Sequence, residues 1–190
     1  MKRTSAKVVI AGGFGAGKTT LVGSVSEIPP LTTEEVMTEA SVGVDDLAGL
    51  DEKTRTTVAL DFGRITISRE VILYLFGTPG QDRFWFMWDE LAQGALGAVV
   101  LVDTRRLPAS FAAVDYFERR GIPFVVAVNA FFGECAYPDH EIRSALQLGP
   151  DVPLVRCDAR RRSSAVEVLI RLLRHVLAGL PATPPARAVP

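Results

Sequence analysis

Residues 12 to 19 read Gly-Gly-Phe-Gly-Ala-Gly-Lys-Thr. A glycine, four residues, then Gly-Lys-Thr is the spacing that cradles a phosphate chain. Each residue type has a chemical reason to be there. Gly13, Gly15, Ala16 and Gly17 let successive backbone N–H groups curl around an anion with little side chain in the way. Lys18 adds a full positive charge for the outer phosphates. Thr19, with Thr20 beside it, offers a hydroxyl to a divalent cation. The context is the required one. The β-branched run Lys7–Ala11 reads as a buried strand, and Lys18–Ser26 reads as a helix whose N-terminus adds partial positive charge. A dinucleotide fingerprint starting at Gly13 would need glycine at position 18, where this chain has lysine. In the empty loop Lys18 is expected to be solvated.

Two further segments carry chemistry. Thr57-Val58-Ala59-Leu60-Asp61-Phe62 opens a strand after a long connection, and Gly77-Thr78-Pro79-Gly80-Gln81-Asp82-Arg83-Phe84 ends the next one. With the phosphate loop, they resemble the two switches of the Ras superfamily of small GTPases. The proline before Gly80 resembles the bacterial MglA group and the GTPases of actinobacterial conservon operons. The resemblance spans the chain to about Leu180. It implies a P-loop NTPase G domain that binds GTP or GDP with Mg²⁺ and hydrolyses GTP slowly.

The resemblance also implies roles. Thr19 and Thr57 would hold Mg²⁺, with Thr54 and Thr56 as rivals of Thr57. The Gly80 amide would bond the γ-phosphate, and Gln81 would orient the attacking water. Arg55 resembles an internal arginine finger. Arg64 is its runner-up, and a solvated arginine on a charged loop is the plain alternative. Implied partners are a roadblock-type regulator and a sensor-kinase-like protein. Trp85, beside the γ-phosphate sensor, is expected on the partner face.

The sequence departs from the family pattern twice. Gly77 stands where most Ras-like proteins have the aspartate that holds a Mg²⁺-bound water. Asp61 and Asp103 are the remote acids left to replace it. After the fifth strand the pattern Asn-Lys-x-Asp becomes Asn129-Ala130-Phe131-Phe132. The lysine stem that covers the base is gone, and Phe132 replaces the acid that reads guanine, which removes the main source of base selectivity. Phe131 or Phe132 could stack on the base instead. Asp158-Ala159-Arg160 resembles the third base element. There the Ala159 amide would meet the guanine oxygen, Arg160 would stack, and Asp158 is a substitute acceptor. Two other classes stay open: a binding-only pseudo-GTPase, and a P-loop kinase of a small molecule.

These residues need a scaffold that brings strand ends together. Strands alternating with helices predict an α/β domain over residues 1–180, with a Pro- and Ala-rich tail over 181–190. The expected sheet has six mostly parallel strands, one antiparallel edge strand, and helices on both faces. Its hairpin is read between Thr57–Phe62 and Ile65–Phe76, turning at Gly63-Arg64, and Ile28–Lys53 is read as a long connection. Helices are expected at Asp82–Gln93, Pro108–Arg120, Asp139–Leu148 and Ser163–Leu177. The 190 residues carry a net charge of −1, which argues against nucleic acid as a partner. Cys135 and Cys157 match no metal spacing and read as reduced thiols. No window reaches membrane-spanning length, and neither end offers a lipidation signal. The expectation is a cytoplasmic protein, reaching a membrane only through a partner.

Overall fold

A computed structural model describes residues 4–29, 31–36, 57–80, 86–131 and 137–180. The elements run β1 (Thr4–Ala11), α1 (Lys18–Val25), β2 (Leu31–Val36), β3 (Thr57–Thr66), β4 (Val71–Gly77) and α2 (Phe86–Ala92). They continue with β5 (Ala95–Val102), a 3-10 turn (Thr104–Arg106), α3 (Pro108–Arg120), β6 (Phe124–Asn129), α4 (Asp139–Ala145), β7 (Leu154–Cys157) and α5 (Arg162–Gly179). The strands form one sheet in the order β2-β3-β4-β1-β5-β6-β7. β3 runs antiparallel to both its neighbours, and the β4-β1-β5-β6-β7 pairings are all parallel. The chain therefore has the expected α/β architecture with one strand more. β2 lies inside the segment read as a connection, and it sets the antiparallel strand one place in from the edge. Its sequence, Leu-Thr-Thr-Glu-Glu-Val, has the charge that edge strands tolerate and that hid it from a search for apolar periodicity.

The hairpin turns later than expected. β3 passes straight through Gly63-Arg64, and the chain reverses at residues 67–70. There Ile67 N–H donates to Val71 O at 2.9 Å, and the Ser68 hydroxyl accepts from Glu70 and Val71 N–H. Gly63 serves packing instead. A Cβ there would lie 2.7 Å from Val22 Cγ1 of α1, so the glycine lets the helix close onto the sheet.

Alternation along the central strands builds two cores. Val8, Ile10, Val99, Leu101, Val125 and Ala127 face α1 and α5, whose Leu21, Val22, Val168 and Leu172 complete that layer. Val9, Ala11, Val100, Val102, Val126 and Val128 face the other way, toward Trp88, Phe117 and Ile142 of α2, α3 and α4. Every second residue of a strand thus serves a different layer, which is why β5, and β6 up to Asn129, are apolar. Helix α3 starts with proline in its first turn and stops at Gly121 with φ 62°, as its sequence predicts. Helix α2 is fastened at its C-terminal end: Lys7 Nζ of β1 donates to Glu90 O (3.2 Å) and Gln93 O (3.0 Å). Among the described residues, no helix is long and apolar enough to cross a membrane.

The order of the sheet fixes the site. Chain direction reverses outward from β1, so the crevice beyond the carboxyl end of β1, between β4 and β5, is where a ligand fits.

Candidate nucleotide site

The loop between β1 and α1 occupies that crevice. Gly17 sits immediately before the helix at φ 103°, and a Cβ there would lie 2.6 Å from Asn129 Nδ2. Only glycine meets both demands, the left-handed backbone and the close approach. Lys18 is not solvated as expected. It is 8% exposed, and its Nζ donates to Gly12 O at 2.8 Å and Gly13 O at 2.9 Å. The physical reason is that the loop wraps back over its own lysine, so the loop carbonyls take the place of water. Burial pulls the ammonium down to about 8, with the nearby Asp61 carboxylate pushing the other way.

Opposite this loop, the neighbouring strand brings an acid beside position 77. Asp61 lies across from Gly77 in the β3–β4 register. Its Oδ2 accepts from Thr19 Oγ1 at 2.6 Å. This closeness depends on Gly77, since a Cβ there would lie 2.9 Å from both the Cβ and Oδ2 of Asp61. Asp61 is 5% exposed. Its Oδ1 has no hydrogen-bond partner among the described residues, and neither does the buried Thr78 Oγ1. An unpaired buried carboxylate oxygen on the acid that holds the Thr19 hydroxyl suits the water shell of a Mg²⁺ ion, which takes few protein ligands and keeps its waters. Of the two remote acids, Asp61 is thus at the site. Asp103 is committed elsewhere.

The segment after β4 folds directly over the loop. Thr78 N–H donates to Ile10 O at 2.9 Å. A Cβ on Gly80 would lie 2.6 Å from Lys18 Nζ and 2.7 Å from the Phe14 nitrogen. The Gly80 backbone therefore lies against the ammonium that would meet the outer phosphates. Pro79 is tied to α2, because Trp88 Nε1 donates to its carbonyl at 3.3 Å.

The ends of β6 and β7 carry the residues expected around a base. Asn129, at the end of β6, donates through Nδ2 to Ala16 O and accepts through Oδ1 from Ala159 N–H, both at 3.0 Å. It stitches the phosphate loop to the turn after β7. The Ala159 amide is therefore already paired, and meeting a base oxygen would require exchanging that bond. The Asp158 carboxylate is also engaged. Oδ1 accepts from Arg160 N–H (3.0 Å) and Nε (2.9 Å), and Oδ2 from a terminal guanidinium nitrogen (2.9 Å). These bonds hold Asp158 below the usual carboxylate range.

The end of β5 repeats the same device. Asp103 Oδ1 accepts from Arg105 N–H (3.0 Å) and Nε (2.9 Å), and Oδ2 from a terminal nitrogen (2.8 Å). The Arg105 guanidinium then lies over the Phe131 ring, 4.0 Å from its centroid. Two Asp-x-Arg clamps thus flank the end of β6.

Several expected site residues, Arg55, Gln81 and Phe132, lie outside the described residues, as do Cys135, Trp85 and the tail. Thr57 begins β3, paired with Val36. Cys157 is buried, which raises its thiol to about 12. Asp139 is the first residue of α4, and its carboxylate accepts from Arg156 Nε at 2.8 Å. Sequence reasoning ranked Asp61 as remote. The available signal was a lone acid in an apolar strand, four residues after Thr57. Nothing singled out Arg105, whose meaning comes only from the fold.

Two comparisons bear on this geometry. A Methanocaldococcus jannaschii protein described as uncharacterized protein MJ1339 is 30% identical over 131 residues, covering 68% of this chain and 72% of that protein. A family model described as conserved hypothetical ATP binding protein matches residues 10–179, which include the phosphate loop and both clamps. The chain belongs to this family of ATP-binding proteins.

Proposed function

We propose that this chain is a nucleotide-operated switch. It binds a purine nucleoside triphosphate with Mg²⁺, with GTP favoured by a small margin, and hydrolyses the γ-phosphate slowly. The observation that carries this reading is the placement of Gly80 against Lys18 and Phe14. A phosphate bound by Lys18 would meet the Gly80 amide, so the presence or loss of the γ-phosphate would be felt at Thr78-Pro79-Gly80. A P-loop kinase has no need of such a contact.

In this reading each residue has a task. Lys18 neutralises the outer phosphates. Thr19 and Asp61 would hold Mg²⁺, Asp61 from the position that Gly77 leaves open. Mg²⁺ supplies charge neutralisation on the phosphate oxygens. Gln81 orients the attacking water, with Thr57 and Arg55 closing over the γ-phosphate. Asn129 sets the distance between the phosphate half and the base half. The readout is partner binding: Trp85, with the exposed Phe86 next to it in sequence, would meet a roadblock-type regulator.

Single-turnover hydrolysis of GTP and ATP by the purified chain, with and without Mg²⁺, tests the proposal. Slow Mg²⁺-dependent release of phosphate that falls away in Gln81→Ala is expected. Tight nucleotide binding with no hydrolysis would leave a binding-only module. Phosphate transfer to a small-molecule acceptor would mean a kinase.

A further inference from the structure

The guanine-reading acid is missing, yet the strand ends that should surround a base are elaborately built. The two clamps are alike to within about 0.1 Å in every bond. Each follows a parallel strand: Asp103 comes directly after β5, and Asp158 directly after β7. Between them β6 ends in Asn129, level with Cys157 and bonded to the phosphate loop. In both clamps the aspartate is sheltered and the arginine is not. Side-chain exposure is 9% for Asp103 and 55% for Arg105, and 21% for Asp158 and 56% for Arg160. A bidentate carboxylate fixes the plane of a guanidinium as well as its position. Arg105 is held a second time, by the Phe131 ring beneath it.

We propose that Arg105, held by Asp103 and stacked on Phe131, is a wall of the base site facing the wall that Arg160 provides. The pair would bind either purine by its face rather than by its edge. The proposal rests on the nucleotide reading above and names what decides base choice in it. Planar cations and aromatic rings stack on any purine, since every base has a π-face. Each clamp also consumes the carboxylate that might have read guanine N1–H and the exocyclic amine. The site trades edge recognition for stacking, so adenine, guanine and hypoxanthine should all fit. Arg105 replaces, from β5, the cover that Ala130 cannot give.

The test compares GTP, ATP, ITP and inorganic tripolyphosphate by calorimetry, all with Mg²⁺, on the parent chain, Arg105→Ala, Arg105→Lys and Asp103→Asn. ITP lacks the exocyclic amine, and tripolyphosphate lacks a base altogether. In the parent, the three nucleotides should bind within about tenfold of one another. Arg105→Ala should weaken all three by about five- to tenfold and leave tripolyphosphate unchanged. Arg105→Lys keeps the charge but not the plane, and should weaken them nearly as much. Asp103→Asn should do so more mildly. GTP binding a hundredfold over ITP would show an acid reading the amine and would overturn the proposal. An Arg105→Ala loss equal for nucleotides and tripolyphosphate, or absent, would overturn it too. A parent chain that binds none of the four would bring down the phosphate-loop reading itself, and this inference with it.

Discussion

The phosphate half and the base half of the site lie on the same edge of the same sheet, yet they differ from the small-GTPase pattern in opposite ways. The phosphate half keeps its chemistry and moves a residue: the acid absent from β4 is present on β3, with its oxygen on Thr19. In the reading proposed above, the base half would keep its positions and change its chemistry, from a hydrogen-bonding acid to clamped guanidinium planes. A triphosphate with Mg²⁺ would demand charges at fixed points, so a lost carboxylate would have to be replaced by another one. A base offers a broad face as well as an edge, and a site can switch from one to the other.

The largest expected break in this comparison is on the phosphate side. Lys18→Ala should cost at least about a hundredfold in triphosphate affinity, since charge-assisted hydrogen bonds to two phosphates are lost. Calorimetry reads it, and a melting curve checks the fold. An unchanged affinity would remove the phosphate site from the account. Next, Asp61→Ala should lower nucleotide affinity about tenfold in Mg²⁺ and little in a chelator. Gly77→Ala should mimic it by driving a methyl group into Asp61. The double change Asp61→Gly with Gly77→Asp, which returns the acid to β4, should restore part of the Mg²⁺ dependence. If Asp61→Ala binds nucleotide as tightly as the parent in Mg²⁺, the transferred acid has no role.

A pH series sharpens the contrast further. Burial lowers Lys18 to about 8 in the empty loop, and bound phosphate would raise it again. Above pH 8 the empty protein has shed this proton and binding must take it back. Affinity should then fall by up to about tenfold per pH unit until the bound form also titrates. Stacking on Arg105 should show no such slope. The sign for folding is opposite. The folded value lies below the ordinary 10.5, so the unfolded chain holds more proton between about 8 and 10.5, and the Lys18 contribution to stability of the empty protein rises with pH there. The smallest effect is expected from Trp88→Phe. It deletes the bond to Pro79 O, costing about 0.5–1.5 kcal/mol in thermal stability, and leaves tripolyphosphate affinity unchanged. A large loss of affinity would make Trp88 part of the phosphate machinery.

What was legible in the sequence followed from locality. The loop from Gly12 to Thr19 announces itself because eight consecutive residues do one job. The parallel strands β5 and β6 announce themselves by unbroken apolarity. The α3 boundaries were plain from Pro108 and Gly121. What was illegible depended on pairing across the sheet. The replacement of Gly77 by Asp61 is a contact between residues 16 apart in sequence, visible only in the β3–β4 register. The hairpin was misplaced because Gly63 looked like a turn, when it was making room for Val22. Edge strand β2 lacks any apolar period, and only its partner defines it. Lys18 looked solvated because sequence gives no hint that the loop carbonyls turn inward to hold it.

The bonds from Lys7 to the last carbonyls of α2 make that helix a lever with its fulcrum at Gln93. Lys7 belongs to β1, the central strand of the sheet, and its bonds hold the C-terminal end of the helix there. A pull on Pro79, passed through Trp88, would then tilt α2 rather than slide it. The seven residues of the helix give an arm of about 10 Å, and a tilt of about 10° carries its tip about 2 Å. Phe86 is that tip. Losing one phosphate oxygen near Gly80 would thus appear at the surface as a displaced phenyl ring, an output stroke larger than the input that caused it.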